Sequence, residues 1–292
     1  MLGKIVKGIG GFYYVAAADG KIYETRARGL FRKEGIRPSV GDDCEIEIPD
    51  AESLSGSVVS ILPRRSILYR PVVANADQAI VIFAVSKPEP HFGLIDRYLT
   101  GMLWQEMPVI LVLNKIDQDP EKGEEMADQY RRAGFTVLLT SAKKKEGIGE
   151  LRASMEGKTS VLSGPSGVGK SSLLNALFPE KRMETGEISE RIGRGKHTTR
   201  HSELMVVGKN TYICDTPGFS SVELPEDMDE DTLCYGFPEF TPFLGKCRFT
   251  SCRHMAEPDC VVKQAVEDGE IEKSRYTSYC SMLEELKGRR RY

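Results

Sequence analysis

The octapeptide Gly164-Pro165-Ser166-Gly167-Val168-Gly169-Lys170-Ser171 fits G-x-x-x-x-G-K-[ST] without a mismatch. This spacing restricts the fold around it, because such a loop needs a strand to enter it and a helix to leave it. Both are legible. Thr159-Ser160-Val161-Leu162-Ser163 reads as a short buried strand, and Ser171 to Leu177 has the apolar spacing of a helix. Glycines let backbone N–H groups turn inward around phosphates, and the helix start adds the positive end of its dipole. Lys170 is then placed to reach β- and γ-phosphates, and the Ser171 hydroxyl to bind Mg²⁺.

A second pattern lies earlier in the chain. Val109-Ile110-Leu111-Val112-Leu113, bounded by Pro108, is an apolar run suited to a central parallel strand. Asn114-Lys115-Ile116-Asp117 follows at its carboxyl end, where open α/β sheets bind ligands. An Asp there accepts from guanine N1–H and N2–H₂, a donor pair adenine lacks. N-K-x-D by itself also fits an ordinary turn. Its partner is Ser141-Ala142-Lys143, which follows the strand-like run Val137 to Thr140.

A third pattern is Asp215-Thr216-Pro217-Gly218 at the end of Thr211-Tyr212-Ile213-Cys214. Between it and the phosphate loop lies Gly193-Arg194-Gly195-Lys196-His197-Thr198-Thr199-Arg200. The chain order is therefore base motif, second base loop, phosphate loop, switch I, switch II. That order resembles the circularly permuted GTPases, and most closely the ribosome-small-subunit-dependent RsgA family, over nearly the whole chain. The resemblance implies a GTP/GDP site formed by Asn114, Lys115, Ile116, Asp117, Ser141, Ala142, Ser163, Gly164, Pro165, Ser166, Gly167, Val168, Gly169, Lys170, Ser171, Ser172, Asp215 and Gly218. It implies Mg²⁺ on Ser171 and Thr199, with Asp215 acting through water. Many GTPases carry a water-orienting Gln after D-x-x-G, and Phe219 stands there instead. Lys170, Thr199 and His197 are the catalytic candidates, His197 as the group that orients or deprotonates water. A loop histidine facing solvent or RNA is the alternative for His197. A slow free enzyme, activated when a partner orders the switch loops, is the consequence.

Cys247, Cys252, His254 and Cys260 form C-x₄-C-x-H-x₅-C, a Cys₃His set suited to one structural Zn²⁺. The same spacing matches the zinc site of the family. No secretory leader is read at the start of the chain, and a GTP enzyme belongs in the reducing cytosol, so disulfides are disfavoured and a cytoplasmic location is expected. Cys44, Cys214, Cys234 and Cys280 have no such partners in sequence and read as ordinary packed residues.

The 292 residues suffice for several cores, and a net charge of −3 leaves nucleic-acid binding to local patches. Residues 1–68 show five short strand-like runs with Gly-rich turns, the pattern of a small OB-fold β-barrel. Arg26, Arg28, Arg32, Lys33 and Arg37 interleave there with Phe31 against Glu34, a loop suited to RNA phosphates and an exposed base, or to plain solvation. Residues 69–223 read as a central α/β circularly permuted P-loop GTPase domain, with a buried strand at Ala79 to Val85 and a helix from Leu94 to Met107 ended by Pro108. Residues 224–292 read as a mainly helical zinc-binding domain, with an acidic linker at Leu224 to Asp227 and a helix from Glu267 to Leu286. The tail through Arg289, Arg290 and Arg291 is basic. No membrane span is read, and the chain is taken as a monomer.

Three functions compete. The first is a GTPase that binds the small (30S) ribosomal subunit and its rRNA late in assembly, the subunit itself being implied by the resemblance. The second is a GTP-switched RNA scaffold with little turnover. The third is a permuted GTPase serving the large subunit. Because the zinc domain follows switch II directly, a movement near Gly218 driven by the γ-phosphate is expected to shift it.

Overall fold

The computed structural model describes residues 1–28, 31, 35–50, 53–69, 72–181, 203–215 and 223–289. Five strands open the chain: β1 (Leu2–Ile9), β2 (Phe12–Ala17), β3 (Ile22–Ala27), β4 (Asp43–Asp50) and β5 (Ser55–Ile61). A short hairpin follows, β6 (Ile67–Tyr69) with β7 (Val72–Ala74). Then come β8 (Gln78–Ala84), α1 (Phe92–Trp104), β9 (Val109–Asn114), α2 (Pro120–Arg132), β10 (Thr136–Thr140) and α3 (Ile148–Met155). After these run β11 (Thr159–Ser163), α4 (Lys170–Leu177), β12 (Leu204–Gly208) and β13 (Thr211–Asp215). The C-terminal part holds 3₁₀ turns at Leu233–Gly236 and Pro238–Phe243, then α5 (Val261–Glu267) and α6 (Lys273–Arg289). Strands β8 to β13 take the order β10-β9-β8-β11-β13-β12, with β9–β10 and β11–β13 parallel and β12 an antiparallel edge. Among the described residues no helix is long and apolar enough to cross a membrane.

The residues pack into two compact units that do not follow chain order. The first comprises Met1–Ala79, Gly149–Ser163 and Leu177–Gly218. Its five opening strands close into a barrel, β1-β2-β3-β5-β4, parallel only at β3–β5. Period-two alternation turns Ile5, Val15, Tyr23, Cys44, Ile46 and Val58 inward. Phe31 corrects the reading of the basic loop. It is 5% exposed and packs in this core, so it offers no free ring to a base. The barrel surface carries instead the half-buried Phe12 with the exposed Arg26, whose guanidinium lies 4.4 Å from the ring centroid. The β6–β7 hairpin, not anticipated from the sequence, is fastened beneath the barrel. Asn75 accepts from Arg65 N at 2.8 Å and donates to Gly41 O at 3.1 Å, while Arg64 forks onto the fully buried Asp42 at 2.6 and 2.9 Å. On the sheet side of this unit, only residues 156–158 separate α3 from β11, and Gly157 makes the turn at φ +71°.

The second unit comprises Ile80–Ile148, Gly164–Ala176 and Phe219–Tyr292. It therefore joins the base-motif strands, the phosphate loop and the whole C-terminal region. Helix α1 ends three residues before the expected Met107. Gln105 N and Glu106 N donate back to Met102 O and Leu103 O, and Glu106 turns left-handed at φ +53°, so Pro108 is not the terminator. The helix expected from Glu267 to Leu286 begins only at Lys273 and runs to Arg289; Glu267 closes the separate α5, which Gly269 at φ +76° follows. Leu224 in the acidic linker is a core residue, 2% exposed beside Phe237, Phe240, Tyr279 and Leu283.

Gly41 has φ +92°, and a Cβ there would lie 2.0 Å from Ala74 O. Gly41→Ala is therefore expected to destabilise the first unit by about 2 kcal/mol or more. Urea unfolding followed by circular dichroism checks this; an unchanged midpoint would show that the hairpin does not press on the barrel.

Candidate nucleotide and metal sites

The phosphate loop leaves β11 and enters α4, as the motif requires. Gly164 is buried at φ +145°, and any Cβ would stand 2.2 Å from Ile82 O. Gly167 and Gly169 are also left-handed, at φ +81° and +96°. Pro165 is half-buried, Ser166 and Gly167 are exposed, and Val168 is buried. Lys170 Nζ curls back over the loop to Gly164 O at 2.7 Å and Pro165 O at 2.9 Å. Ser171 is half-buried at the start of α4 and Ser172 is exposed. Ser163, the last residue of β11, is buried, and among the described residues its hydroxyl oxygen has no hydrogen-bond partner.

The base motif is locked to this loop through one side chain. Asn114 is fully buried at the end of β9, and its Nδ2 donates to Val168 O at 2.8 Å. Its Oδ1 accepts from Thr140 Oγ1 at 3.2 Å and from Ala142 N at 3.4 Å. One carboxamide thus spans both base loops and the phosphate loop, and its orientation is set by donors on one side and an acceptor on the other. Lys115, at φ +64°, sends Nζ to Gly167 O at 2.6 Å. Ile116 N donates to Thr140 O at 3.2 Å, which seats the turn on β10. The Asp117 carboxylate accepts from Ser141 Oγ at 2.6 Å, and that hydroxyl accepts from Lys144 N at 3.1 Å. This fixes one carboxylate oxygen and leaves the half-buried group oriented for a base. Thr140 and Gly147 were missed in the sequence. A Cβ on Gly147 would meet Leu139 O at 2.0 Å, so glycine alone lets the second base loop close on β10.

Asp215 ends β13 in parallel register with Leu162, two residues before Gly164. His197, Thr199, Gly218 and Phe219 lie outside the described residues.

The ligand atoms of Cys247, Cys252, His254 and Cys260 lie within 4.8 Å of one another. Cys247 Sγ is 3.9 Å from Cys260 Sγ, and His254 Nδ1 is 3.5 and 3.4 Å from these two sulfurs. A tetrahedral Zn²⁺ has edges of about 3.8 Å between sulfurs and about 3.5 Å from sulfur to nitrogen, so the donors present fit such an ion. The loop that carries them is held from outside. Glu257 accepts from Arg253 N and Met255 N, both at 2.9 Å. Burial pushes its carboxyl up, but these N–H groups outweigh that and bring it down to about 2. Tyr276 and Tyr279 of α6 donate to His254 O at 2.7 Å and Arg253 O at 2.8 Å. His254 and Asp259 accept left-handed backbones, φ +58° and +54°, to bring the donors together. Glu257 and the two tyrosines carry no sequence signature beyond their nearness to the cysteines. The remaining cysteines are free, with Cys44 and Cys214 buried and Cys234 and Cys280 half-buried.

Ser141→Ala is expected to weaken guanine-nucleotide binding about fivefold to tenfold, because the Asp117 carboxylate loses its orienting donor. Calorimetric titration with GDP measures this, and wild-type affinity would remove Ser141 from the site. At the metal cluster, burial pushes the Cys252 thiol up to about 12 and Cys260 upward, so metal uptake must displace protons. Metal affinity is expected to fall steadily as pH drops, already above neutrality because the raised thiols hold their protons there, and Cys260→Ser to abolish stoichiometric metal. A competition titration with a chromogenic chelator reads both, and pH-independent affinity would exclude thiolate ligation.

The family described as RsgA GTPase matches residues 61–225, and the RsgA N-terminal domain matches residues 2–54. A protein of Agathobacter rectalis named small ribosomal subunit biogenesis GTPase RsgA is 49% identical, with both chains covered completely. A protein of the same name from Alkaliphilus metalliredigens is 44% identical over 99% of each chain. Among solved structures, YjeQ from Thermotoga maritima superposes with a TM-score of 0.84 at 36% identity, over 98% of each chain. YloQ, described as a circularly permuted GTPase, gives 0.80 at 36% identity, covering 99% of this chain and 95% of its own. With a phosphate loop and base loops locked together in permuted order, and relatives matching from end to end, the chain belongs to the RsgA GTPase family.

Proposed function

We propose that this protein hydrolyses GTP to GDP and phosphate in the late maturation of the small ribosomal subunit, and that the subunit activates it. The observation that carries the reading is the Asn114 hydrogen bond to Val168 O, 2.8 Å long, which ties the base motif to the phosphate loop in permuted order and so supports one guanine-nucleotide site. The identity of the relatives as small-subunit biogenesis GTPases supplies the client. The roles follow from the residues. Asp117 would read the base edge, with Asn114 holding the loops in place and Ser141 and Ala142 closing the second loop over it. Gly164 and Ser166 to Gly169 would present backbone N–H groups to the phosphates. Lys170, now bonded to two loop carbonyls, would exchange them for β- and γ-phosphate oxygens. Ser171 and Thr199, with Asp215 through water, would hold Mg²⁺, which neutralises charge building on the phosphate oxygens. Gly218 would sense the γ-phosphate and His197 would orient the attacking water, a task Phe219 lacks the polar atoms to do.

The Cys₃His cluster fits one structural Zn²⁺, since all four positions are filled by protein and none is left open for a substrate. The functional division we propose is residues 1–68 as the OB domain, 69–223 as the permuted GTPase and 224–292 as the metal-bearing region. The barrel, with Arg26 over Phe12, and the metal region would contact rRNA. A cytoplasmic monomer is the matching form.

Lys170→Ala is expected to abolish productive GTP binding. His197→Ala is expected to leave GTP affinity within about twofold while slowing subunit-stimulated turnover by about a hundredfold. Phosphate release by the purified protein, alone and with isolated small or large subunits, is the test. Stimulation by the small subunit supports the reading, stimulation by the large subunit moves the client, and binding without turnover makes the protein a GTP-switched scaffold.

A further inference from the structure

Arg275 of α6 is fully buried, and its charge is answered by two elements distant in sequence. Its Nε and Nη2 fork onto Glu239 at 2.7 and 3.1 Å, and its Nη1 reaches Asp96 Oδ1 of α1 at 2.7 Å. The same Asp96 oxygen accepts from Tyr130 OH of α2 at 2.9 Å. Phe237, Phe135 and Tyr130 surround the guanidinium with ring centroids 4.7, 5.3 and 5.7 Å away. Around this centre the fit is close. Gly236 stands so near α1 that a Cβ would lie 2.5 Å from Thr100 Cγ2. Further ties surround it, with Trp104 Nε1 bonded to Asp227 at 2.9 Å, Arg97 to Glu285 at 2.6 Å, and Gln129 to Ser274 at 2.7 Å. On its far side α6 holds the metal loop through Tyr276 and Tyr279.

We infer that Arg275 is a buried charge lock that makes the metal-bearing region a rigid extension of α1 and α2, so that it keeps one position relative to the base-reading loops in the GDP and GTP states. The inference rests on the GTPase reading for those two states. It replaces the expectation that a γ-phosphate-driven movement shifts the zinc domain as a separate body. Displacement of the region by even one helical turn would carry Arg275 and Glu239 away together and leave the fully buried Asp96 carboxylate without its guanidinium. Packing interfaces of this kind switch between discrete arrangements or not at all. The metal region then serves as a fixed arm whose orientation is set by the half of the site that reads guanine.

Hydrogen exchange by mass spectrometry on the full-length, metal-loaded protein tests this with GDP and with a non-hydrolysable GTP analogue. In the wild type, amides of α1, of Pro238–Phe243 and of α6 are expected to exchange equally in the two states. Arg275→Met is expected to speed exchange about tenfold or more in α1 and α6 together, with metal content unchanged. If that variant does not fold, Glu239→Gln should produce a smaller acceleration shared by both helices. Acceleration confined to α6, or a nucleotide-dependent change at these amides in the wild type, would overturn the lock. Protection of residues 164–171 by GDP in the same data tells failure of the nucleotide reading apart from failure of the lock.

Discussion

The Asn114 carboxamide is the point on which the candidate nucleotide site turns. Its amide nitrogen holds the phosphate loop at Val168 O, and its oxygen gathers Thr140 and the Ala142 amide from the second base loop. Because the group is buried, each of these bonds carries the full cost of desolvation if its partner is withdrawn. The phosphate loop and both base loops are therefore held together by one side chain. Chain order is immaterial to such an arrangement: what counts is that β9, β10 and the phosphate loop reach the same place. The glycines serve that end too. Gly169 carries its left-handed turn 2.5 Å from the Asn114 nitrogen, measured to where a Cβ would stand, so the loop approaches as closely as it does only without a side chain.

The C-terminal region is held by a different physics. Its aromatic core of Phe237, Phe240 and Tyr279 supplies apolar burial, and its metal loop is drawn together by carboxylate and tyrosine bonds to backbone. The Arg275 centre adds orientation rather than bulk stability. Burial works against the guanidinium charge, yet Asp96 and Glu239 outweigh it and hold the group firmly protonated. Breaking one arm of such a buried set costs about 3–5 kcal/mol, although a well-packed apolar replacement of the whole set often costs little. The network therefore selects one docking geometry among several of similar apolar content.

Much of this was legible in the sequence because it is local. The strand before Gly164, the helix after it, and the alternation in Asp43 to Ile48 are written in neighbouring residues, and the structure places β11, α4 and β4 there. The Cys₃His spacing was sufficient for the metal cluster because the ligands span only fourteen residues. What escaped depends on partners far away. Phe31 reads as an exposed aromatic within a basic stretch, yet the barrel core takes it up. Arg275 reads as one charge among many in α6, and only the fold brings Asp96 to it across 179 residues. The end of α1 at Trp104 is set by a left-handed Glu106, a choice no local propensity announces, whereas Pro108 drew the eye as a helix breaker.

The short connection at residues 156–158 has an implication for how such a molecule arises. Where α3 and β11 are joined by so little chain, the same elements in unpermuted order would bring their two ends close together. The compensating cut then falls between β13 and β8, the one gap whose ends border a strand leading to Asp215 and a strand leading toward α1. New sequence added at those ends is wired in series with the nucleotide machinery instead of hanging from its periphery. Permutation is in this sense an editing of circuitry: the same parts, reconnected so that each added module joins the chain beside a strand of the sheet.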